Sequence, residues 1–335
     1  MNYRYLGRTG VQVSVLGLGT ENFGPRTSEA DACDLLDHAL GEGVNLIDTA
    51  NFYGTEDPKD YSEHRGRSEV IVGNALKRNG KRQDVILATK GRGPMWLGPN
   101  GESASRYHMV RAVEESLRRL QTDRIDLYQI HWPDETVELD ETLRALDDLV
   151  RAGKILYIGT SNFHAWQIVD GITTSERLGL NRFVSEQTIY NLAFRRNERE
   201  LFPMALKHRL GILVWSPLFA GILTGKYRKS SPMPSGSRLA DDASERNWPR
   251  NMLGERAYTF LDQLEAYLAD RGCTMTQFAM AWVLSQPAVT SALMGPRNIG
   301  QLNEYLGALD IEITEEDVRQ MNAWVGRAGS VMDPA

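Results

Sequence analysis

Four residues whose side chains can exchange protons lie at or just beyond apolar runs that have the pattern of buried β-strands. Asp48 ends the run 44–48, and Tyr53 follows it after a short polar turn. Lys90 and His131 end two later runs of the same kind. A tyrosine hydroxyl has an ordinary pKa of about 10, which is too high for efficient proton exchange near neutral pH. A nearby lysine ammonium lowers that pKa, and a carboxylate partner keeps a buried lysine charged.

Together, these four side chains suit proton transfer to a carbonyl oxygen or from an alcohol. A histidine beside them can donate a hydrogen bond to a substrate oxygen and polarise it. The set contains no nucleophile and no electron sink, so the other half of a redox reaction has to come from a cofactor. Each residue alone also fits a structural role, such as a solvated strand end or a turn histidine. Their common position at strand ends favours a site.

Eight strands alternate with helical patterns along the chain. The strands are predicted at 13–19, 44–48, 84–90, 125–131, 155–161, 182–187, 211–216 and 290–295. Amphipathic or apolar helical patterns occur at 28–43, 105–120, 139–154, 197–209, 275–287, 298–309 and 315–325. Strand-helix repeats predict parallel strands joined by helical crossovers, and eight such units close into a (β/α)₈ TIM barrel. A doubly wound fold is the alternative, but the early glycines do not form a G-x-G-x-x-G that opens a helix.

Several segments exceed the basic repeat. The first 14 residues contain a turn at 8–10 and predict an N-terminal β-hairpin that closes the barrel floor. Long loops are expected at 54–67 and 228–251, after the second and seventh strands. Additional C-terminal helices follow the eighth strand. No shift in composition divides the chain, so we expect a single domain over residues 1–335.

The composition excludes several classes of protein. The 335 residues are 41% hydrophobic and 24% charged with a net charge of -6, which argues against binding to nucleic acid or to an anionic membrane. No run approaches the roughly 20 apolar residues of a membrane helix, and the first residues do not resemble a secretory signal. Cys33 and Cys273 lie far apart, without a C-x-x-C or His-rich context. We therefore expect reduced thiols, a cytoplasmic protein and no metal site.

Seven motifs resemble the aldo-keto reductase family, in the order of that family and over nearly the whole chain. They are NLIDTANFYG, ILATK, YQIHWPD, YIGTSNF, EQTIYN, WSPLFAGILTGKY and GPRNIGQLNE. The resemblance implies a (β/α)₈ barrel that binds NADPH without a Rossmann domain. It assigns the catalytic tetrad of the family to Asp48, Tyr53, Lys90 and His131, with Tyr53 as the general acid in carbonyl reduction.

The resemblance also implies a cofactor site. Ser161, Asn162 and Gln187 would bind the nicotinamide carboxamide, and Trp215 would stack on the ring, where the family more often has tyrosine. The other residues implied for the cofactor are Thr20, Asp48, Ser216, Leu218, Gly221, Lys226, Gly295, Arg297, Gln301 and Glu304. A guanidinium at Arg297 can bind a 2′-phosphate, so we expect NADPH rather than NADH.

The substrate pocket is less well defined by the sequence. Its candidate residues are Glu21, Phe23, Tyr53, His131, Trp132 and Phe219. Glu21 stands where some branches of the family place a large aromatic residue. An acid facing the pocket would favour a polar or hydroxylated substrate, although an outward orientation fits the sequence equally well. Trp132 fits either substrate stacking or packing at the rim, and we expect the loop 54–67 to cover part of the entrance.

The expected activity is NADPH-dependent reduction of a small-molecule aldehyde, ketone or sugar-like carbonyl. One alternative is a keto-deoxysugar reductase of an antibiotic pathway, which stretches such as SLRRLQTDRIDLYQIHWPD resemble. Another alternative is an NADP-binding, redox-sensing subunit with slow turnover, similar to the cytoplasmic β subunits of potassium channels. The sequence does not mark an oligomeric state.

Overall fold

A computed structural model of the chain describes residues 1–55, 61, 64–229, 231–240 and 250–332. Its strands are β1 (Tyr3–Tyr5), β2 (Gln12–Ser14), β3 (Leu16–Gly19), β4 (Leu46–Asp48), β5 (Ile86–Gly91), β6 (Ile125–Ile130), β7 (Ile155–Ser161), β8 (Ser185–Ile189), β9 (Gly211–Trp215) and β10 (Val289–Met294). Strands β3 to β10 are parallel and form a closed barrel in which each strand pairs with the next and β10 pairs with β3. All eight predicted strands are present, so the (β/α)₈ prediction is confirmed.

Helices surround the barrel. They are α1 (Glu29–Gly41), α2 (Arg67–Asn79), α3 (Arg106–Leu120), α4 (Leu139–Arg151), α5 (Ala165–Leu178), α6 (Leu201–His208), α7 (Glu255–Leu268), α8 (Met275–Ser285), α9 (Ile299–Leu306) and α10 (Glu315–Val325). Helix α1 begins after Ser28, whose Oγ accepts a hydrogen bond from the amide of Asp31 at 3.2 Å. Such a side-chain cap satisfies an amide that has no partner within the helix. The predicted helices after the eighth strand are confirmed as α9 and α10.

Three helices were not identified from the sequence: α2, α5 and α7. The residue before α2 is Gly66, which has a φ of 82° and provides no side-chain cap, and α5 is capped by the unusual residue His164. Helices α2 and α7 also follow the two long loops, whose polar composition hides where each helix begins. Residues 56–60 and 62–63 of the first loop, and residues 230 and 241–249 of the second, lie outside the described residues.

The amino-terminal hairpin closes one end of the barrel, as predicted. Strands β1 and β2 pair in antiparallel fashion, and Leu6 and Val13 pack inside the barrel against residues such as Leu127 and Leu213. Gly7, in the turn, has a φ of 57°, and a Cβ atom there would lie 2.4 Å from the carbonyl oxygen of Val184. Only glycine fits this close approach. The floor is therefore filled with apolar side chains, and the opposite end of the barrel is left for the site.

A second apolar layer lies between the barrel and the helices. Helix α4 buries Leu143, Leu146 and Leu149 at helical spacing, and α8 is buried on nearly all sides around Trp282. Burial of such side chains supplies most of the driving force for folding. Within the described residues, even α8 is too short to cross a bilayer, and no other helix combines the required length and apolar character.

Candidate active site

The carboxyl ends of the barrel strands open into a cavity of about 810 Å³. Every residue that the family resemblance implied for the cofactor lines this cavity: Thr20, Asp48, Ser161, Asn162, Gln187, Trp215, Ser216, Leu218, Gly221, Lys226, Gly295, Arg297, Gln301 and Glu304. Tyr53, His131, Trp132 and Glu21 line it as well. The structure thus brings together residues that are far apart in the sequence, at the rim where barrel enzymes carry their sites.

Lys90 and Asp48 form a buried ion pair beneath this cavity. The Nζ of Lys90 donates to Oδ1 of Asp48 at 2.5 Å and to the carbonyl oxygen of Thr49 at 2.9 Å. The Lys90 side chain is fully buried. Burial by itself would lower the pKa of Lys90, but the Asp48 carboxylate and the Tyr53 hydroxyl outweigh it and raise that pKa above its ordinary value. Lys90 therefore stays charged.

Two glutamines hold the other oxygen of the Asp48 carboxylate. Gln187 Nε2 donates to Oδ2 at 2.8 Å, and Gln129 Nε2 donates to the same atom at 3.0 Å. Gln129 was not among the predicted site residues. Its signal is a polar residue inside the buried strand β6, two positions before His131, which places both side chains on the same face. The carboxylate is thus fixed on both of its oxygens.

Aromatic rings fix the orientation of His131. Its imidazole lies 5.0 Å from the Phe52 ring and 4.7 Å from the Trp132 ring, measured between centroids. The Tyr53 ring stands edge-on to the imidazole at 5.8 Å, and Lys90 Nζ lies 5.0 Å from the centroid of the Tyr53 ring. Phe52 also lines the cavity and was not predicted. The arrangement places Tyr53 between a fixed cation and a fixed imidazole.

The Ser161–Asn162 turn joins the ends of three strands. Asn162 has a φ of 60°, a conformation that asparagine tolerates better than most residues. Its Nδ2 donates to the carbonyl oxygen of His131 at 3.0 Å and to Ser161 Oγ at 3.0 Å. Its Oδ1 accepts from Nε1 of Trp215, also at 3.0 Å. The turn therefore connects the residues predicted to bind the nicotinamide to His131, which is predicted to be catalytic.

The loop that follows β9 has an unusual backbone. Ser216, Phe219, Ala220 and Gly221 all have positive φ values. Left-handed non-glycine residues are uncommon and often cluster at ligand-binding sites. At Gly221, an added Cβ would lie 2.8 Å from Nζ of Lys226, so the glycine leaves room for that ammonium. This loop carries Ser216, Leu218, Gly221 and Lys226, which the family resemblance implied for the cofactor.

Two cations meet near the end of the loop. Partial burial and the charge of Arg297 lower the pKa of Lys226. Arg297 Nη1 donates to the carbonyl oxygen of Gly236 at 3.1 Å, and neither cation has a carboxylate partner among the residues that the structure describes. Nearby Glu304 accepts instead from Thr274 Oγ1 at 3.1 Å. Such a local excess of positive charge fits phosphate groups.

The predictions for Phe23 and Phe219 are wrong. Both rings are fully buried in the apolar layer and neither lines the cavity. Phe219 stacks on Phe194 with 6.3 Å between centroids and 12° between planes. Transfer of a large ring from water to an apolar core is favourable, and these two rings have core positions available.

Glu21 is found on the cavity wall, so an outward orientation is excluded. Arg238 Nη2 donates to both of its carboxylate oxygens, at 3.2 and 3.1 Å, and the charge of Glu21 raises the pKa of Arg238. Arg238 also lines the cavity. It belongs to the second long loop and was not predicted, because a loop sequence does not reveal which of its side chains fold back.

Comparison with known proteins agrees with the architecture. The sequence model of the aldo/keto reductase family matches residues 15–325. The chain is 38% identical over 327 residues to an uncharacterized oxidoreductase, YrpG, of Bacillus subtilis (strain 168), covering 96% of this chain and 95% of that protein. It is 34% identical to a probable voltage-gated potassium channel subunit beta of Arabidopsis thaliana, over 93% of this chain and 92% of that protein. It is 33% identical to protein tas of Escherichia coli (strain K12), over 96% and 97%. The chain belongs to the aldo/keto reductase family of carbonyl oxidoreductases.

Proposed function

We propose that this protein reduces a small, polar aldehyde or ketone to the alcohol with NADPH. The observation that carries this proposal is the buried Lys90–Asp48 pair beside Tyr53, at the base of the cavity. An ammonium that stays charged next to a phenol lowers the pKa of the phenol and so suits it to proton transfer. A purely structural ion pair would not require a cavity above it.

The proton steps follow from the contacts of the tetrad. Tyr53 gives its hydroxyl proton to the carbonyl oxygen of the substrate, and the Lys90 charge stabilises the phenolate that remains. Asp48 keeps Lys90 charged and in place. His131, held by its aromatic neighbours, donates a hydrogen bond to the same carbonyl oxygen and polarises it. A bound nicotinamide nucleotide supplies the hydride for the carbonyl carbon.

The cavity wall fits such a cofactor. Ser161, Asn162 and Gln187 offer amide and hydroxyl groups for a carboxamide, and the indole of Trp215 offers a flat surface for the ring. Lys226 and Arg297 offer positive charge for phosphates. The guanidinium of Arg297, which has no carboxylate partner among the described residues, supports NADPH over NADH because it can bind a 2′-phosphate.

The Glu21–Arg238 pair supports a hydroxylated substrate. A carboxylate accepts hydrogen bonds from hydroxyl groups, and a guanidinium donates to them. Because the two charges cancel, the pair favours neutral hydroxyl groups over a second anion. The rings of Phe52 and Trp132 line the same cavity and offer apolar faces to the carbon skeleton of the substrate.

The proposal is tested by NADPH consumption with matched carbonyl compounds. The panel contains glyceraldehyde and propanal, which differ by two hydroxyl groups, together with ketoses, steroids, quinones and nucleotide-linked keto-sugars. We expect reduction of aldehydes, with a larger kcat/KM for glyceraldehyde than for propanal. Clear preference for the nucleotide-linked keto-sugars would favour the keto-deoxysugar alternative. Absence of turnover with every compound would contradict the proposed activity.

A redox-sensing subunit is the second candidate. The relatives that favour it are probable potassium channel β subunits from two plants, at 34% and 35% identity. This candidate predicts tight NADP binding, turnover too slow to be useful with every carbonyl, and recovery of a membrane channel in a pull-down.

A further inference from the structure

Glu186 is a fully buried acid that takes no part in the proton steps described above. It lies on strand β8 beside Gln187. Successive side chains of a strand point to opposite faces, and Gln187 reaches Asp48 inside the barrel. Glu186 therefore faces away from the barrel interior. A carboxyl group in such a position requires an explanation, because burial without a partner is costly.

The partners of the Glu186 carboxyl all come from the end of strand β7. Oε2 contacts Oγ1 of Thr160 at 2.6 Å, and Oε1 accepts a hydrogen bond from the amide of Phe163 at 3.2 Å. The amide of Asn162 donates to the carbonyl oxygen of Gln187 at 3.0 Å, and it also lowers the pKa of the Glu186 carboxyl. These groups flank the Ser161–Asn162 turn on both sides. Glu186 thus supports that turn from the side away from the barrel interior, while Asn162 lines the cavity on the other side.

The hydrogen bonds accommodate both protonation states of this carboxyl. Thr160 Oγ1 also lies 3.3 Å from the carbonyl oxygen of Ser185. If Glu186 is ionised, the Thr160 hydroxyl donates to it. If Glu186 is neutral, its own O–H donates to Thr160 Oγ1, and the Thr160 hydrogen turns to Ser185. Burial raises the pKa of Glu186 to about 8, so the neutral form dominates at neutral pH.

Among the residues that the structure describes, no ionised neighbour compensates a charge at this position. The groups that act on the carboxyl are hydroxyl and amide donors only. On the strand-to-helix turn, the nearest titratable side chain is His164, the residue that precedes helix α5. On β8 and just after it, Tyr190 pairs with Glu198 instead. An ionised Glu186 would therefore be a buried charge without a counter-ion, which favours opening of the turn to water.

We propose that Glu186 is a positioning residue that holds the Ser161–Asn162 turn in the shape that grips the nicotinamide carboxamide. The inference rests on the proposed function for its cofactor. It adds that the neutral carboxyl is the form that supports cofactor binding. Ionisation of Glu186 loosens the turn and weakens that binding, without any contact between Glu186 and the cofactor.

The test compares Glu186→Gln, Glu186→Leu and the wild-type protein in NADPH binding, measured by tryptophan fluorescence at pH 7 and pH 9. Glutamine reproduces the neutral carboxyl, because its Nε2 can donate to Thr160 and its Oε1 can accept from Phe163. We expect its Kd at pH 7 to lie within about threefold of wild type, and that of Glu186→Leu to rise about tenfold. From pH 7 to 9, the wild-type Kd should rise about tenfold more than that of Glu186→Gln.

All other titrating groups are shared by the wild type and Glu186→Gln, so their difference isolates Glu186. Glu176→Gln, on the surface of α5, is the matched control and should behave as wild type at both pH values. Equal pH dependence in the wild type and Glu186→Gln would overturn the role of ionisation. Wild-type affinity in a folded Glu186→Leu protein would overturn the positioning role.

Hydrogen exchange at the amide of Phe163 separates this inference from the proposed function. We expect that amide to be protected in the wild type and in Glu186→Gln, and to exchange faster in Glu186→Leu. If the wild type does not bind NADPH but the exchange pattern is observed, the proposed function fails and the support of the turn stands. Unchanged exchange in every variant would contradict the support itself, whatever the cofactor.

Discussion

Lys90 and Lys226 lie on opposite sides of the barrel rim, and their pKa values shift in opposite directions. Lys90 lies near the carboxyl end of β5 and Lys226 follows β9, two strands that face each other across the eight-stranded barrel. The pKa of Lys90 is raised, although burial opposes it, because Asp48 and Tyr53 lie beside it. The pKa of Lys226 is lowered, because burial and Arg297 act in the same direction. The same side chain is thus stabilised as a cation on one side and destabilised on the other.

The difference between the two lysines separates proton chemistry from phosphate binding. On the Lys90 side, the cation is balanced by an acid of the protein. Elsewhere on the cavity wall, Glu21 balances Arg238. A cation that is balanced by an acid can lower the pKa of a neighbouring phenol without attracting anions. On the Lys226 side, the balance is missing within the described residues and an anionic ligand would restore it. The first side suits chemistry, and the second suits binding of phosphates.

Breaking the Lys90–Asp48 pair should have the largest effect. Lys90→Met leaves a buried carboxylate without its counter-ion, so we expect turnover to fall at least about 10³-fold and stability to fall by about 3–5 kcal/mol. The double variant Asp48→Asn with Lys90→Met removes both charges and should recover much of the stability, measured by urea unfolding, but none of the turnover. Recovery of turnover in the double variant would contradict the role of the ammonium. Exposed Lys77→Met is the control.

Removing Arg297, a cation on the Lys226 side, should weaken NADPH binding and leave the chemical step unchanged. For Arg297→Met we expect the Kd of NADPH to rise about 100-fold, because a charged hydrogen bond to phosphate is lost, and the Kd of NADH to change little. Fluorescence titration with both nucleotides measures the two constants, with Arg319→Met on α10 as the control. An equal loss for both nucleotides would show that Arg297 does not select the 2′-phosphate.

Glu186 differs from both lysines, because it is buried and has no counter-ion among the described residues. Its folded-state pKa of about 8 lies above its unfolded value, so between these two values the folded protein binds more protons than the unfolded chain. Its contribution to stability is therefore complete at low pH and is lost as the pH rises towards 8. From pH 6 to 7.5 we expect a loss of about 2 kcal/mol relative to Glu186→Gln. Urea unfolding across that range measures it, and parallel curves for the two proteins would contradict the raised pKa.

The smallest expected effect concerns the Glu21–Arg238 pair. Glu21→Gln retains the shape of the side chain but weakens its interaction with hydroxyl groups. We expect the ratio of kcat/KM for glyceraldehyde to that for propanal to fall about five- to tenfold, with propanal itself within about twofold of wild type. A ratio unchanged from wild type would show that Glu21 does not recognise the hydroxyl groups of the substrate. Glu102→Gln, elsewhere on the cavity wall, tests whether any lost acid has the same effect.

The strands of the barrel were predictable because each contains a short apolar run, and most of these runs end in a polar residue. Helices α2 and α5 were not, because Gly66 and His164 are weak signals for a helix start. The meeting of Asp48, Tyr53, Lys90 and His131 at one rim was predictable because each lies at or near the carboxyl end of a strand, and strand ends share one rim. Their catalytic roles stay predictions. Arg238 was not predictable, since its position depends on how a long loop folds back. The single-domain expectation stays a prediction, as does coverage of the entrance by residues 54–67, part of which lie outside the described residues.

The errors at Phe23 and Phe219 have a physical cause. Proximity to a strand end in the sequence does not fix the direction of a side chain, and the two rings found apolar positions in the core. Gln129 is the opposite case, a polar residue within a strand that reaches Asp48. For this site, the polar residue Gln129 within a strand was therefore a better indicator than the aromatic residues Phe23 and Phe219 beside strands.

The central claim is that Tyr53 is the proton donor, and Tyr53→Phe tests it most directly. The change removes one oxygen atom and leaves the ring beside His131, so cofactor binding should survive. We predict that NADPH-dependent turnover of the best aldehyde falls at least about 10³-fold, while the Kd of NADPH stays within about threefold of wild type. Near-normal turnover in this variant would contradict the account.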